Sequence, residues 1–207
     1  MGGKTRTDAA GNVTKGWDHD PPAKETLVPF GILMVATAAL KLLFGSHETS
    51  DAWVDALQMW WRQVRRGHRH IKRLVIDLDN GPKNSGRRTQ FLKRMVQFAD
   101  WSGLEIRLVY YPPYHSKYNP IERCWSALEQ KWNGVLLNCL EVVFQCARRM
   151  TWKGQHPKVK HLRGEYPNGV RVAAKEMKPY KARLRRSTTL PNYDITIEPR
   201  TAKGRVK

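Results

Sequence analysis

Acidic residues are scarce in this sequence. Eighteen Asp and Glu stand against 37 Lys and Arg in 207 residues, a formal net charge of +19. Such an excess favours a polyanionic partner, most simply nucleic acid. The plain alternative is a solvated basic surface. Cysteine is nearly absent as well. Cys124, Cys139 and Cys146 have neither an even count nor metal-ligand spacing, which excludes a disulfide framework and a cysteine-bound zinc. Cys124 and Cys139 fall on apolar helical faces, where buried free thiols are expected, and a reducing cytoplasm suits them. His68, His70, His115, His156 and His161 also lack zinc spacing and read as surface or phosphate-facing residues. Met1 to Lys15 is polar throughout, unlike a secretory leader. There are no internal repeats and no low-complexity tract. The one long apolar run, Leu27 to Gly45, is broken by Pro29, Gly31 and Lys41. It predicts a buried strand pair or a core strand rather than a membrane span, so no membrane partner is expected.

The length suits one domain with a real core and a possible small appendage. The informative stretch runs from Arg73 to Glu122. Leu74 to Leu78 is a short apolar run, read as a buried strand that delivers Asp79 where Asn80-Gly81-Pro82 turns the chain. Leu104 to Tyr111 reads as the next strand. The loop after it ends in Asn119-Pro120, an N-cap and N1 pair that starts a helix with Glu122 in its first turn.

In chain order, Met1 to Asp20 is polar, and Trp17 to Pro22 reads as a turn or loop. Residues 1–25 form a polar N-terminal segment, 26–152 the core and 153–207 a basic C-terminal extension. Thr49 or Ser50 is placed to cap a helix carrying Trp53, Leu57, Trp60, Trp61 and Val64 at helical spacing. That aromatic stripe reads as a core face rather than a binding platform. A second helix covers Arg87 to Trp101, with Phe91, Leu92, Met95, Val96 and Phe98 inward and Gly103 as its stop. A third runs from Pro120 to Trp132 and closes at Gly134. A fourth runs from Asn138 to about Trp152, with Val142, Val143, Cys146 and Met150 inward. Lys153 to Arg186 shows too little periodicity for defined elements. The alternation of strand and helix predicts an α/β sheet.

Two acids carry the chemical interest, and each has a structural alternative. Asp79 sits in good turn chemistry, and Asp77 shares its face of the strand. A mid-strand Asp77 would be a costly buried charge, whereas strand ends are where α/β sheets place ligand-binding groups, which favours Asp79. Glu122 occupies the N3 position, where helix capping alone accounts for an acid. A strand-end Asp and a helix Glu brought together by a sheet can hold a divalent metal through oxygen.

The run LDNGPKNSGRR followed by PPYHSKYNPIERCWSALEQKW resembles the DDE transposases of bacterial insertion sequences, most closely the ISAzo13 family. The likeness continues in WDHDPP, PFGI, ETSDAWVDALQMWW and NYDITIEP. The resemblance implies an RNase H-like (retroviral integrase-like) mixed sheet flanked by helices, with acids gathered at one end. It aligns one catalytic acid with Asp79 and, through NPIE, the final one with Glu122. It further implies Mg²⁺ or Mn²⁺ held by these two residues, two-metal phosphoryl transfer, and DNA as partner, both insertion-sequence ends and target. Lys83, Arg87, Arg88, Lys93, Arg94, His115 and Lys117 flank the acids and are candidate contacts to the DNA backbone, the alternative being an ordinary basic helix face. The family's first Asp lies on a strand upstream of the segment that WDHDPP resembles. Of the acids before Glu25, namely Asp8, Asp18 and Asp20, none follows an apolar strand. The expectation is therefore a fold incomplete at its N-terminus, a truncated copy or one product of a split gene, working as a homo-oligomer or with an N-terminal partner chain. The competing expectation is a non-catalytic DNA-binding remnant.

Overall fold

The computed structural model describes residues 26–112 and 115–200, the side chain of Ser116 excepted, and the backbone of strands β1 (Arg6–Thr7) and β2 (Val13–Thr14). The other expectations for Met1 to Pro22, including Asp8, Asp18 and Asp20, lie outside the described residues. The order continues with β3 (Val28–Met34), β4 (Ala39–Gly45), α1 (Ser50–Val64), a 3₁₀ turn (Arg65–His68) and β5 (Arg73–Leu78). Next come α2 (Thr89–Ser102), β6 (Glu105–Tyr110), α3 (Pro120–Trp132) and α4 (Leu140–Arg149). The chain finishes with β7 (Lys158–His161), α5 (Ala174–Lys181), β8 (Leu184–Arg186) and β9 (Asp194–Ile197). It divides into two compact units, Met1–His47 with Pro120–Glu165 and Glu48–Asn119 with Tyr166–Lys207.

In the first unit, Leu27 to Gly45 forms a strand pair, the first of the two arrangements expected of it. β3 and β4 run antiparallel with Val28 opposite Gly45, and β7 joins β4 in parallel. Leu40, Leu42 and Phe44 alternate along β4, so one side of the strand meets α3 and α4 through Cys124, Leu128, Val143, Phe144 and Met150. Among the described residues no helix is long and apolar enough to cross a membrane.

The second unit holds a four-stranded mixed sheet in the order β5-β6-β9-β8. β5 and β6 are parallel, and β9 runs antiparallel to both β6 and β8. Ile106, Leu108, Tyr110, Ile195 and Ile197 are buried on one face, together with Phe91, Met95 and Phe98 of α2. α1 packs on α2, and its N-cap is Thr49, whose hydroxyl accepts from the Ala52 amide at 3.2 Å. The buried side of α1 is broader than the aromatic stripe suggested: Ala52, Val54, Ala56, Trp60 and Trp61 are buried, while Trp53 and Leu57 are half-buried. α2 stops at Gly103, which takes the left-handed conformation at φ 72°.

The strands therefore form two larger mixed sheets flanked by helices, where one sheet was expected. Cys139 is exposed ahead of α4, so only Cys124 and Cys146 are the buried thiols; burial pushes Cys124 up to about 11. The stretch from Lys153 to Arg186 contains β7, α5 and β8.

Candidate active site

β5 ends at Leu78, and Asp79 is the first residue beyond it, exposed at the C-terminal end of the parallel pair β5 and β6. The turn that follows is built around its carboxylate. Asn80 adopts φ 62°, a conformation Asn tolerates better than most side chains. That bend lets the Gly81 amide donate to Asp79 Oδ1 at 3.3 Å. Asn84 Nδ2 donates to the same oxygen at 3.0 Å. A Cβ on Gly81 would lie 3.3 Å from Asn84 Oδ1 and 3.5 Å and 3.6 Å from the two Asp79 oxygens. A Cβ there would touch the carboxylate at ordinary contact distance and crowd the Asn84 side-chain oxygen slightly.

Asn84 is itself fixed. It is 2 % exposed. Its amide donates to the Gly81 carbonyl at 3.2 Å, and its carbonyl accepts from the Tyr110 hydroxyl at 3.1 Å. Burial pushes the Tyr110 hydroxyl well up, so it remains a donor. Asn84 Oδ1 is enclosed with no hydrogen-bond partner, a destabilising feature held beside the carboxylate. The rest of the loop is tied at separate points. The Lys83 carbonyl accepts from Ser50 Oγ at 2.7 Å, and the Gly86 carbonyl from Arg186 Nη2 at 2.6 Å. Gly86 is wedged so closely that a Cβ would meet Ile195 at 3.0 Å and Tyr110 at 3.2 Å.

Asp77 faces the less covered side of β5, and desolvation raises its carboxyl from the ordinary value. Its pairing position opposite Val109 puts it within the sheet rather than in the loop.

Glu122 belongs to the first unit, in the first turn of α3. α3 starts at Pro120 as the sequence predicts, and the left-handed Gly134, φ 82°, follows its end. The neighbours of Glu122 fix the helix on β3: a Cβ on Gly31 would meet Trp125 at 2.7 Å and Ile121 at 3.0 Å, so only glycine admits that approach. Glu122 is half-buried, and its carbonyl accepts from Ser126 Oγ at 3.4 Å.

Of the basic candidates, Lys83, Arg87 and Arg88 share the Asp79 loop, and Arg87 is exposed. Arg88 donates to the Val170 carbonyl at 3.3 Å. Lys93 pairs with Glu176 at 2.7 Å, and Arg94 pairs with Asp51 and Asp55. His115 and Lys117 follow β6, at the same end of the sheet as Asp79. Both bear on Tyr118: the His115 ring stacks at 5.9 Å and Lys117 Nζ lies 5.3 Å from the ring centroid.

The donor chemistry at Asp79 suits a hard divalent cation. The carboxylate is exposed, and both of its hydrogen bonds fall on Oδ1. Among the described residues no cluster of three or more His, Cys, Asp and Glu side chains is assembled. Sequence reading gave no role to Asn84, Tyr110 or Arg186. Asn84 lies in a run rich in turn residues, and the other two act from far along the chain.

A family model described as Rhodopirellula transposase DDE domain matches residues 1–199. No curated protein and no solved structure matches the chain.

Proposed function

The chain belongs to the ISAzo13 family of DDE transposases, and from that premise we propose that it cuts and joins insertion-sequence DNA by metal-dependent phosphoryl transfer, with Asp79 and Glu122 as metal-holding carboxylates. The observation that carries this reading is the Asp79 turn. An exposed carboxylate at a strand end is held through one oxygen by a buried amide. The other oxygen is left to face a cation. Mg²⁺ or Mn²⁺, when bound, supplies activation of water or a 3′-hydroxyl and stabilises the leaving oxygen.

The chain's own residues do the rest. Asn84 and the Gly81 amide keep the Asp79 carboxylate from rotating, which is the preorganisation that metal ligands depend on. Glu122 presents its carboxylate from the first turn of α3, where the helix end favours negative charge. Arg87, Lys83, His115 and Lys117 bear on the DNA backbone and contribute affinity rather than sequence choice. Arg88 and Lys93 serve the same end less directly, since each already holds a partner within the unit. A third acid belongs to the family's chemistry, and Asp18 and Asp20 are the first residues to test for it.

The test is Mg²⁺- or Mn²⁺-dependent nicking of supercoiled plasmid. Asp79→Ala and Glu122→Ala should each bring nicking to background. Nicking that survives in both variants overturns the site assignment. Salt-sensitive DNA binding without nicking by the unaltered chain marks the non-catalytic reading instead.

A further inference from the structure

We propose that the turn joining α1 to β5 is a docking surface for the phosphate backbone of duplex DNA, at the end of the four-stranded sheet opposite Asp79. This rests on the reading of the chain as a DNA-acting protein and adds a place where DNA is held away from the chemistry.

Between Arg62 and Arg73 the sequence carries six formal cations, Arg62, Arg65, Arg66, Arg69, Lys72 and Arg73, and no acid. The fold gathers them. α1 ends at Val64, a 3₁₀ turn covers Arg65–His68, and β5 begins at Arg73. Arg65, Arg66, Arg69 and Lys72 are exposed, and none takes part in an ion pair among the described residues. Several other cations of this unit are paired, Arg73 at the end of the run among them. Arg73 meets Glu105 at 2.5 Å, Arg107 meets Asp194 at 2.7 Å, and Arg183 meets Asp100 at 2.6 Å. Four unpaired cations in one turn repel one another, and a polyanion relieves that.

The helix dipole explains only part of the run. The C-terminal end of α1 is worth about half a negative charge and fades within one turn. That accounts for Arg62 and the arginines just after it, but not for Arg69 or Lys72. Trp101, exposed at the margin, already has Arg62 over its ring at 5.3 Å, and the His68 and His70 rings of the turn stack on each other at 6.3 Å. These rings are therefore already engaged within the chain rather than open as a stacking platform for unpaired bases, and the patch suits a duplex backbone rather than a single strand. β5 separates the turn from Asp79 by six residues, about 20 Å of strand. Contacts at the turn hold DNA without touching the reacting phosphate.

The experiment uses the full chain, a fluorescent duplex and a salt series. Substituting R65Q, R66Q, R69Q and K72Q together should flatten the slope of log affinity against log salt by about 3–4. Affinity at low salt should fall by more than tenfold. The charge-keeping set R65K, R66K and R69K should retain the parent slope, which separates lost charge from lost fold. An unchanged slope in the glutamine set overturns the proposal, as does a slope lost equally in the lysine set. Nicking answers a different question: if the unaltered chain binds duplex but never nicks, the catalytic reading fails while this one stands.

Discussion

β4 reads Ala-Leu-Lys-Leu-Leu-Phe-Gly and β5 reads Arg-Leu-Val-Ile-Asp-Leu, two apolar runs with a charge inside each. β4 lies between β3 and β7, and every residue after Ala39 is buried. β5 lies at the edge of its sheet, and only Leu78 is buried. Neighbours, not hydrophobicity, make the difference. Both internal charges are pushed towards their neutral forms: burial, then Lys160 and Lys158, lower Lys41 to about 8, and desolvation raises Asp77. The central strand anchors a core. The edge strand delivers an exposed carboxylate to a braced loop.

The sharpest way to break this contrast is to remove core volume from β4. Phe44 is 1 % exposed and packs on Phe144 with ring centroids 5.4 Å apart. Phe44→Ala should cost about 3–5 kcal/mol in urea denaturation. A loss under about 1 kcal/mol would deny β4 its central role. At the end of β5, position should matter more than burial. Asn84→Ala should lower Mn²⁺ affinity, read by electron paramagnetic resonance, by about 10–100-fold. An unchanged affinity would remove Asn84 from the account of Asp79.

Lys41 gives a pH test of the same contrast. Its pKa falls from 10.5 in the unfolded chain to about 8 in the fold. Between those values the unfolded state binds more protons, so the stability of the unaltered chain should rise with pH there. Lys41→Met should stabilise by about 1–3 kcal/mol at pH 7, and that advantage should shrink from pH 8 upwards. A pH-independent difference would show that the ammonium is not desolvated. The smallest effect belongs to Val75, 51 % exposed on β5: Val75→Thr should shift stability by no more than about 0.5 kcal/mol.

Much of this was legible where local pattern governs. Helical spacing and two punctuating residues, Gly103 and Pro120, located α2 and α3. A short apolar run followed by Asn-Gly-Pro located Asp79 at a strand end. β9, whose Ile195 and Ile197 are fully buried, lies in NYDITIEP, a segment that was marked for its family likeness and not read as a strand. β7 was illegible because Lys158 and Lys160 interrupt it and its place depends on a distant partner, β4. The bracing of the Asp79 loop was illegible for the same reason, as Tyr110 and Arg186 arrive from 26 and 100 residues away. The ion pairs on the basic face of α2 were illegible too. Lys93 and Arg94 are engaged by Glu176, Asp51 and Asp55, acids on other helices that no local window shows.

The chain passes between its two units three times, after His47, Asn119 and Glu165. Neither unit is therefore a contiguous stretch of gene. A stop codon just after Glu165 would leave every segment of the first unit translated. It would strip β8 and β9 from the second, and with them the Arg186 guanidinium that holds the Gly86 carbonyl. Such a product would still encode Asp79, Asn84 and Glu122. Decay of this gene can thus silence its site from the far end of the reading frame, with both proposed ligands still spelled out in the DNA.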